Sequence, residues 1–197
     1  MQHLIDHARS FRDRASAEAD EFGRLGDGQF PDALFVTCSD SRVIPSLITG
    51  ARPGELFELR TAGNIVPRHD HPHPAGELAT IEYAVEVLGV GDIVVCGHSH
   101  CGAVGAMVRG DDLSSVPAVR DWLDHATPLP DLPEPARPGL SAAVQSHVLD
   151  QVDRLREYPC VAERLAAGRI GVHAWYYEVD TGSVWAHEPH ADRFRPL

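Results

Sequence analysis

The apolar positions of the chain alternate between short continuous runs and longer stretches with helical spacing. Ala33-Leu34-Phe35-Val36-Thr37 is a short, partly β-branched run of the kind a strand covered on both faces requires. Leu56–Arg60, which follows the turn signal Arg52-Pro53-Gly54, and Ile93-Val94-Val95-Cys96 predict a second and a third strand. Between them, Ala75–Leu88 sets Leu78, Ile81, Val85 and Leu88 on one face and Glu77, Glu82 and Glu86 elsewhere, which predicts a helix stopped by Gly89 and Gly91. Gly102–Arg109 predicts a short helix, and Leu140, Val144, Val148, Val152 and Leu155 mark a long amphipathic one. Arg169–Val179 and Ser183–His187, joined around Asp180-Thr181-Gly182, predict a hairpin. Ahead of all this, residues 2–21 predict a charged helix whose stripe of Leu4, Ile5, Ala8 and Phe11 needs a surface to pack on. Gly23, Gly26 and Gly28 end it, and the five prolines of residues 128–138 predict a surface loop.

Strands alternating with helices imply an α/β fold: a mostly parallel central sheet with an antiparallel C-terminal edge strand, flanking helices and an N-terminal helical arm. At 197 residues the chain is read as one domain, an arm over 1–28 and a core over 29–197. That length buries a sizeable core without disulfide staples.

Composition narrows the chemistry. The net charge is −12 and all 17 basic residues are arginines. Without lysine there is no phosphate-loop, Schiff-base or kinase lysine. An acidic chain with no basic stripe is not expected to bind nucleic acid. No apolar run approaches the roughly 18 residues of a membrane span, and the N-terminus lacks the apolar core of a secretory signal, so the expected location is the cytoplasm. In that compartment four unevenly spaced cysteines point to metal binding or catalysis before disulfides.

Two segments stand directly behind predicted strands: Cys38-Ser39-Asp40-Ser41-Arg42 and His98-Ser99-His100-Cys101. In open α/β sheets the carboxyl ends of strands frame the binding crevice, so the two can converge. If residues 38–42 stay extended, Cys38, Asp40 and Arg42 face one way. Cys38, His98 and Cys101 then form a candidate ligand set. Two sulfurs and an imidazole suit Zn2+, and three protein ligands leave one tetrahedral position open. Taken singly, each piece also has an inert reading as a buried thiol, a stray histidine or a surface ion pair. Cys96 and Cys160 read as core thiols, and the alternating His69, His71 and His73 as a solvated loop. His100 is either a proton shuttle or structural.

The two motifs, at this separation, resemble the β-class carbonic anhydrases, with the plant-type branch favoured. The resemblance implies a zinc lyase, one Zn2+ per chain, that interconverts carbon dioxide and bicarbonate as a homodimer or a higher even oligomer such as a homotetramer. It places Cys38, His98 and Cys101 on the zinc ligands and Asp40 and Arg42 on a catalytic dyad. Asp40 would orient a zinc-bound hydroxide toward CO2, and would itself become a ligand only in a closed form. Gln29, Phe57, Ala62, Tyr83 and Gly102 are placed around the substrate, with Gln29, Phe57 and Tyr83 reaching the zinc of the neighbouring subunit. Within Arg60-Thr61-Ala62-Gly63-Asn64, Thr61 departs from the family's usual asparagine. Phe35 stands where the bicarbonate-inhibited branch has tryptophan. A hydrolase of carbonyl sulfide or CS2 on the same scaffold, and non-catalytic zinc or binding proteins, remain open at this point.

Overall fold

The computed structural model describes residues 1–70, 75–126 and 139–197. Six strands form one sheet in the order β2-β1-β3-β4-β5-β6: β1 (Ala33–Cys38), β2 (Leu56–Thr61), β3 (Asp92–His98), β4 (Gly171–Tyr177), β5 (Val184–Glu188) and β6 (Arg193–Pro196). The first four run parallel, and β5 and β6 are added antiparallel. The expected antiparallel edge is therefore two strands deep. The sequence Arg193-Phe194-Arg195-Pro196 offers too short a pattern to announce β6.

The helices are α1 (Gln2–Ser16), α2 (Ala19–Arg24), α3 (Pro45–Thr49), α4 (Gly76–Glu82), α5 (Gly102–Arg109), α6 (Pro117–Leu123), α7 (Leu140–Arg156) and α8 (Pro159–Ala166). The helix predicted over 75–88 begins as α4 and continues as a π turn over Tyr83–Leu88, which leaves Tyr83 and Val87 facing outward. The helix predicted over 2–21 breaks after Ser16, and α1 buries none of its residues in this chain. Among the described residues no helix is long and apolar enough to cross a membrane.

The main core lies where α4, α7 and α8 cover one face of the sheet. Leu34, Val36, Ile93 and Val95 point into it, meeting Ile81, Val144, Val148, Val152 and Leu155. Each such side chain, fully buried, contributes about 1.5–3 kcal/mol. α7 packs on β3 and β4, and Gly97 makes that approach possible. A Cβ there would lie 2.5 Å from Val148 and 2.7 Å from Val144. Phe35, Val94 and Cys96 fill the opposite face with Trp175 and Tyr177, so the central strands are apolar on both sides, as their runs required.

Candidate metal centre

β1 has β2 on one side and β3 on the other. The chain thus changes direction between β1 and β3, and at such a switch point the strand ends diverge to leave a crevice. Cys38 is the last residue of β1 and His98 the last of β3. The chain then turns sharply at His100, which has φ 56°, and delivers Cys101 to the N-cap of α5. The sulfurs of Cys38 and Cys101 and a ring nitrogen of His98 all lie within 4.8 Å of one another, on three buried residues.

His98 is set up as a ligand. Its Nδ1 stands 2.8 Å from the Ser99 carbonyl, which only accepts, so Nδ1 carries the proton and Nε2 presents a lone pair. That Nε2 is buried with no hydrogen-bond partner. An orphaned acceptor costs free energy unless something fills the place, and a cation does. The thiols behave as a pair. Cys38 is pulled down to about 4, first by the hydrogen bond from Cys101 and further by His98 and the backbone of Asp40 and Gly63, against the effect of burial. Cys101 is pushed up, first by the hydrogen bond its thiol gives to Cys38 and further by burial and the Cys38 charge. A bound divalent cation would hold both sulfurs as thiolates. Two thiolates and an imidazole gathered in a buried place fit Zn2+.

Residues 38–42 do not stay extended as expected. Val43 N–H donates to the Asp40 carbonyl at 3.0 Å and Arg42 N–H to Asp40 Oδ1 at 2.9 Å, so the chain turns here. The turn brings Arg42 back over Asp40: Nε donates to Oδ1 at 2.9 Å and Nη2 to Oδ2 at 2.7 Å, while Nη2 also reaches the His100 carbonyl at 3.1 Å. This grip, above all the side-chain hydrogen bonds, holds the Asp40 carboxyl well below the usual carboxylate range. Among the described residues Arg60 pairs with no acid. Its guanidinium donates to the carbonyls of Cys38, Asp40 and Val43 and so fixes the path of the loop.

The other expected site residues do not all gather at the ligands of their own chain. Gln29 is exposed and lines a separate groove with Arg24, Phe30, Arg52 and Glu55. Phe57 and Tyr83 stack on each other with centroids 5.9 Å apart, Tyr83 half-exposed. Ala62 is exposed, and its carbonyl accepts from Trp122 Nε1 at 2.9 Å. Gly102 opens α5 beside Cys101. His100 stands at the rim, its Nε2 3.5 Å from Asp180 Oδ1. Cys96 is sealed in the sheet, its thiol pushed up to about 12 by burial, and the Cys160 thiol is raised by burial too. His69 packs edge-on against Tyr158, and His71 and His73 lie outside the described residues. Sequence reasoning missed Gly63, whose N–H points at Cys38 Sγ from 3.4 Å. Its signal was the break in regular pattern after β2.

An α/β sheet that brings two thiols and an imidazole to its switch point defines a metalloprotein. Comparison with known proteins narrows the class. The family model for carbonic anhydrase matches residues 33–184. A carbonic anhydrase of Pseudomonas aeruginosa is 46% identical over 205 residues, spanning 100% of this chain and 92% of the relative. The solved β-carbonic anhydrase CcaA superposes with a TM-score of 0.90 at 37% identity, over 100% of this chain and 92% of its own. One of two tetrameric β-carbonic anhydrases from the ascomycete Sordaria macrospora gives 0.76 at 27% identity, over 100% and 98%. The chain belongs to the β-class carbonic anhydrase family.

Proposed function

We propose that the protein catalyses the reversible hydration of carbon dioxide to bicarbonate and a proton, with one Zn2+ per chain held by Cys38, His98 and Cys101. The observation that carries this reading is the Asp40 carboxylate, gripped from behind by Arg42 while its Oδ2 stands 3.9 Å from the orphaned His98 Nε2. A purely structural metal site has no use for an ionised acid aimed at its edge. Zinc supplies Lewis acidity there, lowering the pKa of water so that a nucleophile exists near neutral pH.

The chain's own residues do the rest. Asp40 Oδ2 accepts the hydrogen of the reacting oxygen and so fixes which lone pair faces CO2. Arg42 keeps Asp40 ionised and aimed. Arg42 engages both carboxylate oxygens and so would keep Asp40 from serving as a metal ligand, which supports the open arrangement and the plant-type branch. Gln29, Phe57, Tyr83, Ala62 and Gly102 form a small, largely apolar pocket for a linear, uncharged molecule. Gln29 lies apart from the ligands of its own chain, and the Phe57–Tyr83 stack presents Tyr83 to the outside. Both features support a homodimer, or a multiple of it, in which these residues serve the neighbouring site. The test is zinc-replete protein offered CO2, carbonyl sulfide and CS2 in parallel. CO2 should be turned over by far the fastest, and a preference for a sulfur-bearing substrate would replace this assignment.

A further inference from the structure

The segment that leaves β2, residues 62–67, belongs to no regular element beyond a single tight turn, yet its carbonyls are satisfied almost one by one from side chains. Ala62 accepts from Trp122 Nε1 at 2.9 Å and Ile65 from Thr61 Oγ1 at 3.0 Å. Gly63 accepts from His147 Nε2 at 2.8 Å, Val66 from Arg154 Nη1 at 3.0 Å and Pro67 from the Tyr158 hydroxyl at 2.8 Å. In addition, Val66 N–H donates to Gln151 Oε1 at 2.9 Å, and Gln151 Nε2 donates back to the His147 carbonyl at 3.3 Å.

His147, Gln151 and Arg154 are spaced by four and three residues on α7, so they share one face, and Tyr158 follows just past the end of that helix. On α7 that face is the buried stripe that also carries Val144, Val148 and Val152. A polar ladder thus runs through an apolar helix face, and it ties α7 to the backbone of this one segment. His147 and Gln151 are both buried. Burial keeps His147 neutral, and a carbonyl partner fixes its single proton on Nε2.

The rung that matters for chemistry is the first. Gly63 and Asn64 are both left-handed, with φ 73° and 48°. Gly63 also sits so close to α5 that a Cβ on it would lie 3.0 Å from the Ala103 side chain. The turn is therefore seated between α5 on one side and His147 on the other. The Gly63 N–H donates to Cys38 Sγ at 3.4 Å while the Gly63 carbonyl accepts from His147 Nε2 at 2.8 Å.

Resting on the metal assignment above, we infer that His147 is a positioning residue of the metal centre: by holding the Gly63–Asn64 peptide it fixes the left-handed conformation of Gly63, whose N–H, on the preceding peptide, is thereby kept on the Cys38 sulfur. It touches neither metal nor substrate. Its effect is on where the Cys38 thiolate sits and how much electron density it gives the metal. An N–H donor withdraws density from a thiolate, and partners outside the ligand set commonly change metal affinity 10–100-fold.

The test replaces zinc by Co2+, whose thiolate-to-metal charge-transfer band reports the Cys38 and Cys101 sulfurs directly, and measures zinc affinity by competition with a chelator. His147→Leu removes the donor and should move the band to longer wavelength and weaken zinc binding about 10–100-fold. His147→Gln keeps an N–H near the same reach and should restore both. Gln151→Leu removes the neighbouring rung and should lower the melting temperature while leaving the band in place. Should His147→Leu not fold, His147→Asn, whose shorter amide falls short of the Gly63 carbonyl, carries the same prediction. An unshifted band with native zinc affinity in the folded variant would overturn the inference, as would an equal shift in Gln151→Leu. A native protein with no thiolate-to-cobalt band would instead overturn the metal centre itself, and this inference with it.

Discussion

Asp40 Oδ2 stands 3.9 Å from His98 Nε2, too far for a hydrogen bond and too near to be unconnected with whatever occupies that nitrogen. The carboxylate is held at that distance because Arg42 engages both of its oxygens. The geometry separates two tasks: His98 offers a lone pair to a cation, and Asp40 offers an acceptor beside it.

The grip of Arg42 is two-pronged, which a lysine cannot reproduce. Arg42→Lys keeps the charge and loses the alignment. Steady-state CO2 hydration at matched zinc content should show kcat reduced about tenfold or more, with fold and metal retained. An unchanged kcat would make the Asp40–Arg42 pair a surface ion pair.

The ligand set itself is tested by Cys38→Ser. The hydroxyl stays protonated at neutral pH and is a poor substitute for a thiolate. Metal analysis after dialysis should find most zinc lost, against about one per chain in the native protein. Full retention would remove Cys38 from the set.

These two predictions rest on features legible in the sequence, since Cys38 and His98 each close an apolar run that had to be a central strand. What stayed hidden has physical reasons. The turn at Asp40–Val43 depends on the Asp40 side chain accepting from the backbone two residues on, so residues 38–42 turn instead of running extended, a choice that alternation of side chains along a strand does not reveal. The Gly63 contact comes from 25 residues away in sequence. The ladder on α7 left a trace that apolar periodicity passes over: His147 and Gln151 are polar residues inside the buried stripe. Within one chain α1 buries no residue, although Phe11 of its stripe meets Phe22 of α2 edge-on with ring centroids 5.7 Å apart.

That exposed stripe makes a prediction. Leu4, Ile5 and Phe11 of α1 are exposed, as are Leu47, Val87 and Phe30, the last at 82%. Apolar surface on this scale favours association. Light scattering should give at least twice the chain mass of 21.4 kDa, and removal of residues 2–16 should weaken the assembly. An active species at the mass of one chain would contradict the shared pocket.

His147 gives the fold a pH dependence. Burial lowers its pKa from the ordinary 6.5 in the folded state. Above about 6.5 neither folded nor unfolded His147 binds a proton, and the group adds no slope. Below that value the unfolded chain takes up a proton that the folded one refuses, so stability falls as the pH drops, by up to about 1.4 kcal/mol per pH unit. His147→Gln has no such proton. Thermal melts from about pH 7.5 to 5.5 should fall more steeply for the native protein than for His147→Gln, and parallel curves would show His147 to be protonated in the fold.

The most direct measurement of the central claim is the initial rate of CO2 hydration by zinc-replete native protein beside Asp40→Asn, with zinc content and oligomeric state determined on the same samples. Asparagine keeps the shape of Asp40 but loses the charge and one acceptor oxygen. The predicted result is a fast native enzyme and a variant with full zinc whose kcat is lower by about 100-fold or more. Native protein carrying its full zinc with no hydration activity, or an Asp40→Asn variant as fast as native, would contradict the account.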